Sequence, residues 1–211
     1  MDANIGADAV IFDIGNVLTQ WQPEAFYDRE IGEARRRALF AAVDLHRMNE
    51  DIDAGALFRE TIYDWADRHS DWAPEVRMWY DRWIELATPR IEGSIALLRA
   101  LRAKGVPVFA LTNFGRNSFD EAVPRLDFLM EFDRHYVSGK MGVTKPDPRI
   151  YAMVEADCGI APQRLIFADD RADNIAAAAA RGWKTHQFES WQGWARRLVA
   201  EGLLTEREAG L

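Results

Sequence analysis

From Pro89 to Gln187 the chain alternates between amphipathic stretches and short apolar runs, and this alternation constrains its fold more than any other feature. Gly93 to Lys104 has helical periodicity closed by Gly105, and Val106 to Leu111 reads as a strand weakened by Pro107. There follow a helix around Asn117 to Met130, a short strand near His135 to Val137, and a helix after Asp147-Pro148. A strand at Leu165 to Ala168, a helix from Ala172 to Arg181 and the stretch Trp183 to Gln187 complete the series. Strands separated by helices imply βαβ units and a parallel sheet, whose ligands bind beyond the strand C-termini. The run Ala176 to Ala180 suits a helix lying close on that sheet, with Gly182 ending it.

A further strand belongs to the same sheet. Ala9-Val10-Ile11-Phe12 is apolar throughout, as in a strand buried on both faces, and it delivers Asp13 before the chain turns at Gly15-Asn16. Asp13 is the candidate nucleophile. From about Pro23 to Ala87 the pattern is helical: Pro23 suits a first turn, Gly32 breaks the pattern, Asp53 could cap Ala54 to Asp67, and Pro74 could start a segment to Ala87. An insertion of three or four helices results. Trp65, Trp72, Trp79 and Trp83 are spaced as a helix seam requires and are expected in its core. Trp21 lies in a loop just after the Asp13 turn and is a candidate substrate contact.

With 211 residues, 48% of them hydrophobic, the chain can bury one core carrying an insertion, or two unequal domains. A net charge of -8 argues against nucleic acid as a partner, because phosphate backbones are held by excess Lys and Arg. Met1-Asp2-Ala3-Asn4 shows no basic leader, and no apolar run approaches bilayer length, so no membrane partner and a cytoplasmic location are expected. The lone Cys158 can form no internal disulfide and reads as a small half-buried side chain. Monomer and homodimer both remain open.

Three apolar runs end in polar residues: Phe12-Asp13, Leu111-Thr112-Asn113 and Phe167-Ala168-Asp169-Asp170. A parallel sheet brings these ends to one edge, where the crowded carboxylates require a cation, and Mg²⁺ suits carboxylate and carbonyl donors. Lys145 adds a second positive charge from a loop stiffened by Pro146 and Pro148.

In this order, Asp13-x-Gly-Asn-Val-Leu, Leu111-Thr112-Asn113, Lys145-Pro146 and Asp169-Asp170-x-x-x-Asn174 resemble the four motifs of the haloacid dehalogenase superfamily, with a helical cap after the first. The resemblance implies an α/β, Rossmann-like parallel-sheet core from residues 1–18 and 88–211, and a helical-bundle cap from 19–87. The motif forms are similar to those of sugar-1-phosphate phosphatases and of the phosphatase domain of soluble epoxide hydrolase. By that resemblance Asp13 is the nucleophile that becomes an aspartyl-phosphate, and Thr112 and Asn113 bind the transferring phosphoryl group. Lys145 balances charge and is held by Asp169; Asp13, Asp170 and the Gly15 carbonyl bind Mg²⁺; Asn174 supports the fourth-motif loop. Asn16 joins the substrate-binding set, and the implied partner is a small phosphorylated metabolite.

One departure stands out. Phosphatases of this family usually carry a second Asp two residues after the nucleophile, as acid and base, and here that position is Gly15. General acid-base help is worth about 10² to 10⁴ in rate, against up to about 10²¹ for phosphomonoester hydrolysis, so its loss slows a phosphatase without abolishing it. A good leaving group such as an anomeric phosphate, or an acid from the cap, would compensate. His46, Glu50 and Asp51, read as a polar loop between cap helices, are the candidates.

Gly15 also fits a metal-independent 2-haloacid dehalogenase with Asp13 as nucleophile, or a catalytically weak phosphate-ligand-binding relative. Against the dehalogenase, Asp169-Asp170 would repel both the substrate carboxylate and the leaving halide. A phosphonate-cleaving relative needs a cap lysine, and no lysine occurs between Asn16 and Pro89.

Overall fold

A five-stranded, wholly parallel sheet carries the molecule, with strand order β3-β2-β1-β4-β5. The computed structural model describes residues 6–211; the opening Met1 to Asn4, read above for its lack of a basic leader, lies outside them. β1 is Ala9–Phe12, every residue of it buried. Then come α1 (Pro23–Ile31), α2 (Glu33–Ala42), α3 (Leu45–Asp53), α4 (Phe58–Arg68) and α5 (Ala73–Asp81), with a 3₁₀ turn over Trp83–Ala87. The alternating part follows as α6 (Glu92–Ala103), β2 (Val108–Thr112), α7 (Arg116–Ala122), β3 (Arg134–Val137) and α8 (Ser138–Met141). It closes with α9 (Pro148–Cys158), β4 (Leu165–Asp169), α10 (Ala172–Ala180), β5 (Lys184–Gln187) and α11 (Trp191–Ala200).

Because side chains alternate along a strand, β1 serves two cores at once. Val10 and Phe12 face one layer with Ile95, Leu98 and Leu101 of α6 and Trp194 and Leu198 of α11. Ala9 and Ile11 face the other, with Ile150, Tyr151 and Val154 of α9 and Ala178 of α10. The Trp194 ring stands edge-on to Phe12 at 5.7 Å. The first layer continues into the insertion through Phe26, Leu39, Met48, Ile52 and Trp79. Trp79 and Trp83 are buried there as the seam requires, and Trp65 and Trp72 pack partly buried against the same core.

Several local expectations are corrected. The supposed polar loop around Leu45 to Asp51 is helix α3, whose Leu45, Met48 and Ile52 form one buried face and whose Asp44 caps the first turn by accepting from Arg47 N–H at 2.9 Å. Asp53 therefore ends α3 rather than capping the next helix, and α4 starts only at Phe58. The insertion holds five α-helices among the described residues, one more than the upper expectation. The helix expected to run to Met130 stops at Ala122, because Pro124 supplies no N–H and its ring disfavours helical backbone before it; Asp127–Glu131 is a 3₁₀ turn instead. Pro107 lies just outside β2, where its carbonyl accepts Val10 N–H at 3.0 Å. Helix α11 had no counterpart in the sequence reading.

Candidate active site

The sheet register sets the site. Phe12 pairs with Ala110 on one side and Ala168 on the other, so Asp13, the end of β2 and Asp169 emerge together at the C-terminal edge. Asp13 N–H donates to the Ala168 carbonyl at 2.9 Å, and Asp13 Oδ1 accepts from Ile14 N–H at 2.7 Å. After Ile14 the chain turns sharply: the Ile14 carbonyl takes N–H groups from Leu18 at 2.8 Å and Thr19 at 3.1 Å. Asn16 occupies the left-handed region with φ of +56°, a conformation asparagine tolerates better than most residues.

Lys145 is the electrostatic centre. Its Nζ lies 3.0 Å from Asp13 Oδ1, 2.6 Å from Asp169 Oδ2 and 2.9 Å from the Leu111 carbonyl, in a side chain only 1% exposed. Burial alone would lower its pKa, yet the charges of Asp13 and then Asp169 hold it above its usual value. The ammonium is therefore permanent. Asn113 fixes the lysine from its main chain: Asn113 Nδ2 donates to the Lys145 carbonyl at 2.9 Å, and Lys145 N–H donates to Asn113 Oδ1 at 2.8 Å. Both polar ends of this side chain are thus engaged, and one Nδ2 hydrogen is left over. Thr112 closes β2 at 1% exposure.

The fourth motif is tied together with similar economy. Asp169 accepts from Arg171 N–H at 2.8 Å and from Asn174 Nδ2 at 3.0 Å, besides Lys145. Asn174 is buried, and its carbonyl takes the Tyr151 hydroxyl at 3.0 Å. Asp170 accepts from Asn16 Nδ2 at 2.9 Å, and Asn16 Oδ1 accepts from Trp21 N–H at 3.0 Å. Asn16 therefore links the two loops. Beside it opens a cleft of about 360 Å³, lined also by Gln20, Gln22, Ile91, Phe188 and Trp191.

Asp13, Asp169 and Asp170 each offer an oxygen, all within 4.8 Å of one another. Burial raises the pKa of Asp13, with Lys145 opposing it and Asp169 adding to it; burial also raises Asp170 against the pull of the Asn16 amide. One lysine does not neutralise three carboxylates, and since Asp169 is committed to Lys145 and Asn174, the donors left for a cation are Asp13 and Asp170. Hard anionic oxygens of this kind fit Mg²⁺.

Four expected contributors are engaged in other contacts. The Trp21 ring is half-buried and packs edge-on against Trp79 at 5.7 Å, so its indole belongs to the insertion's core. His46 is exposed near the start of α3, 3.0 Å from Glu24 and against the Phe40 ring, and Glu50 and Asp51 pair with Arg47. In their place the structure turns Asp53, the last residue of α3, toward the site. Its carbonyl accepts from Ser138 Oγ at 2.7 Å, and that hydroxyl in turn accepts Phe114 N–H at 2.9 Å. The Asp53 carboxylate accepts from Asn49 Nδ2 at 2.9 Å and faces Gly115 N–H, Asp13 and Lys145. Burial, reinforced by the Asp13 charge, pushes its pKa up to about 8. The signal was present in the spacing of Leu45, Met48 and Ile52, a helix face that reaches Asp53 before the break at Gly55.

The class these features define is a doubly wound α/β protein with a lysine-bridged carboxylate pair at the C-terminal edge of its sheet. The haloacid dehalogenase-like hydrolase family model matches residues 7–182, and the chain belongs to that family of hydrolases. Among its relatives, a sesquiterpene phosphatase of Aspergillus oryzae is 26% identical over 192 residues, spanning 82% of this chain and 86% of the relative. A drimenol cyclase of Aspergillus calidoustus is 23% identical over 90% of this chain, which spans only 36% of that longer protein. Among solved structures, a family enzyme of Bacteroides thetaiotaomicron in complex with magnesium and inorganic phosphate superposes with a TM-score of 0.68 at 20% identity, covering 88% of this chain and 96% of that one. The L-2-haloacid dehalogenase of Xanthobacter autotrophicus superposes with a TM-score of 0.60 at 18% identity, over 96% and 86%. The parallel-sheet core expected from the sequence is the observed one.

Proposed function

We propose that the protein is a Mg²⁺-dependent phosphatase acting on a small phosphomonoester through an aspartyl-phosphate on Asp13, with residues 19–87 as a cap over the site. The observation that carries this reading is the acidic trio around Lys145: Asp170, added beside an Asp13–Lys145–Asp169 bridge, has no use in releasing a halide and a clear one in holding a divalent cation. The relatives support it, since one is a sesquiterpene phosphatase and one structural neighbour holds magnesium with inorganic phosphate.

Asp13, Asp170 and the Gly15 carbonyl would hold the ion, which when bound supplies charge neutralisation for the phosphoryl oxygens. The chain's own residues do the rest. Asp13 presents its carboxylate to phosphorus from a rigid strand end, with Oδ1 held by Ile14 N–H and Lys145. Lys145 stays cationic and offsets negative charge as the bond to the leaving oxygen breaks. Thr112 supplies a hydroxyl for a phosphoryl oxygen, and Asn113 and Asp169 keep the ammonium in place from either side.

The test is phosphate release from a broad panel of phosphomonoesters with and without Mg²⁺, repeated with Asp13→Asn, beside chloride release from 2-chloropropionate. Mg²⁺-dependent phosphate release abolished in Asp13→Asn is expected. Metal-independent chloride release would replace this reading with the dehalogenase one, and turnover of nothing would favour a ligand-binding relative.

A further inference from the structure

Gly15 leaves the phosphatase reading without a proton donor, and the insertion brings one carboxylate, that of Asp53, against the loop after β2. The C-terminal end of α3 is seated on the loop after β2: Asp53 is bonded through its carbonyl to Ser138, and Ile52 packs so tightly on Gly115 that a Cβ there would lie 2.4 Å from Ile52 Cγ2. Gly55, just beyond, approaches the Gly139 carbonyl in the same way, at 3.3 Å from its Cβ position. The end of α3 is thus seated on the loop that follows Thr112 and Asn113.

We propose that Asp53 is the general acid and base of the reaction, delivered from the end of α3 in place of the carboxylate missing at Gly15. This rests on the phosphatase reading above. In the first step an Asp13 oxygen forms a bond to phosphorus, the bond from phosphorus to the leaving oxygen breaks, and the proton of the Asp53 carboxylic acid passes to that oxygen to give the free alcohol. In the second, water attacks phosphorus, Asp53 carboxylate takes its proton, and the bond from phosphorus to Asp13 breaks, releasing inorganic phosphate and restoring both carboxyl groups.

The surroundings keep the group in the form that the first step requires. Facing it are Asp13 from the end of β1, Lys145 from the loop after α8, Glu50 on its own helix, the Gly115 N–H and the Asn49 amide. Burial favours the neutral acid, and the Gly115 N–H and the Asn49 amide hold the carboxyl group where the end of α3 meets the loop after β2. The site at Gly15 is open: a Cβ there meets no atom within 4 Å, so the usual acid could be put back.

The experiment compares wild type, Asp53→Asn and Asp53→Asn with Gly15→Asp, in Mg²⁺, on an aryl ester with an acidic leaving group, p-nitrophenyl phosphate, and on the best alkyl ester of the panel. Thermal melts establish that each variant is folded. Asp53→Asn should lose about 10² to 10⁴ in kcat/KM on the alkyl ester and far less on the aryl one, because only a basic leaving oxygen needs the proton. On p-nitrophenyl phosphate it should release a burst of nitrophenol followed by slow turnover, since water attack on the aspartyl-phosphate loses its base. The added Gly15→Asp should restore alkyl turnover. Equal activity of wild type and Asp53→Asn on both esters would overturn this role alone, as would an equal loss on both that Gly15→Asp does not recover. A folded wild type that cleaves neither ester would overturn the phosphatase reading and this role with it.

Discussion

Asn16 Nδ2 donates to Asp170 Oδ2 at 2.9 Å, so the turn after β1 holds one oxygen of the acidic group at the end of β4. The same amide takes Trp21 N–H on its other side, which leaves it little freedom to rotate. Groups that orient a metal-binding carboxylate typically change metal affinity by about 10- to 100-fold when removed. Asn16→Ala should therefore raise the Mg²⁺ concentration for half-maximal activity by a factor in that range, while kcat at saturating Mg²⁺ changes less. A Mg²⁺ titration of phosphate release checks it; an unchanged midpoint would show that the Asp170 carboxylate needs no such support.

Lys145 is the counter-charge for two buried carboxylates at once. Lys145→Met fills similar space with no charge and leaves Asp13 and Asp169 facing each other unpaired. Breaking a buried ion pair in this way costs about 3 to 5 kcal/mol, and a drop in Tm on the order of 10 °C is expected at pH 7. The deficit should narrow toward pH 5, where protonation relieves the repulsion. Differential scanning calorimetry at the two pH values measures both effects, and a deficit that is the same at each would contradict the charge argument.

The catalytic edge of the sheet was legible in the sequence because each strand is an apolar run that stops at its functional residue: Phe12 before Asp13, Leu111 before Thr112, Ala168 before Asp169. What escaped were relationships between segments far apart in the chain. The clasp of Asn113 on the Lys145 main chain spans 32 residues and follows from the pairing of loops, which no local spacing encodes. Helix α3 was obscured by the charged residues between Leu45, Met48 and Ile52, so polarity outweighed a 3–4 periodicity that burial against the insertion's core bears out. A loop in place of α3 puts Asp53 at the start of the next helix and leaves His46, Glu50 and Asp51 as the candidate acids, all of which are paired on the insertion's surface.

Asp53 should also leave a mark on stability. Its pKa is raised to about 8 in the folded state from the ordinary value of 3.8, so the folded protein binds the extra proton between those limits. Stability from this group is complete below the unfolded value and is lost as pH rises through about 8. Asp53→Asn keeps the size of the side chain and carries no charge at any pH. In urea melts between pH 5 and pH 9 the wild type should weaken relative to Asp53→Asn as pH increases; parallel curves would mean that the carboxylate ionises as freely folded as unfolded.

Gly115 tests whether seating of α3 matters for more than stability. Its backbone, with φ of -63° and ψ of 148°, is ordinary for any residue, so an alanine there acts only through the methyl it adds. That methyl would stand 2.4 Å from Ile52 Cγ2 and 2.7 Å from Ser118 Oγ, which forces the end of α3 away from the loop after β2. Overpacking of this kind costs about 1 to 3 kcal/mol. Gly115→Ala should accordingly lower Tm by a few degrees and lower kcat on alkyl esters more than on aryl ones, because Asp53 moves with Ile52. Ile52→Ala removes the nearest of these atoms and leaves the Ser118 hydroxyl, so the double variant should be more stable and more active than the sum of the two single losses predicts. A double-mutant cycle read in both Tm and kcat measures this coupling. Strict additivity in both would mean that the end of α3 and the loop after β2 do not act as one unit.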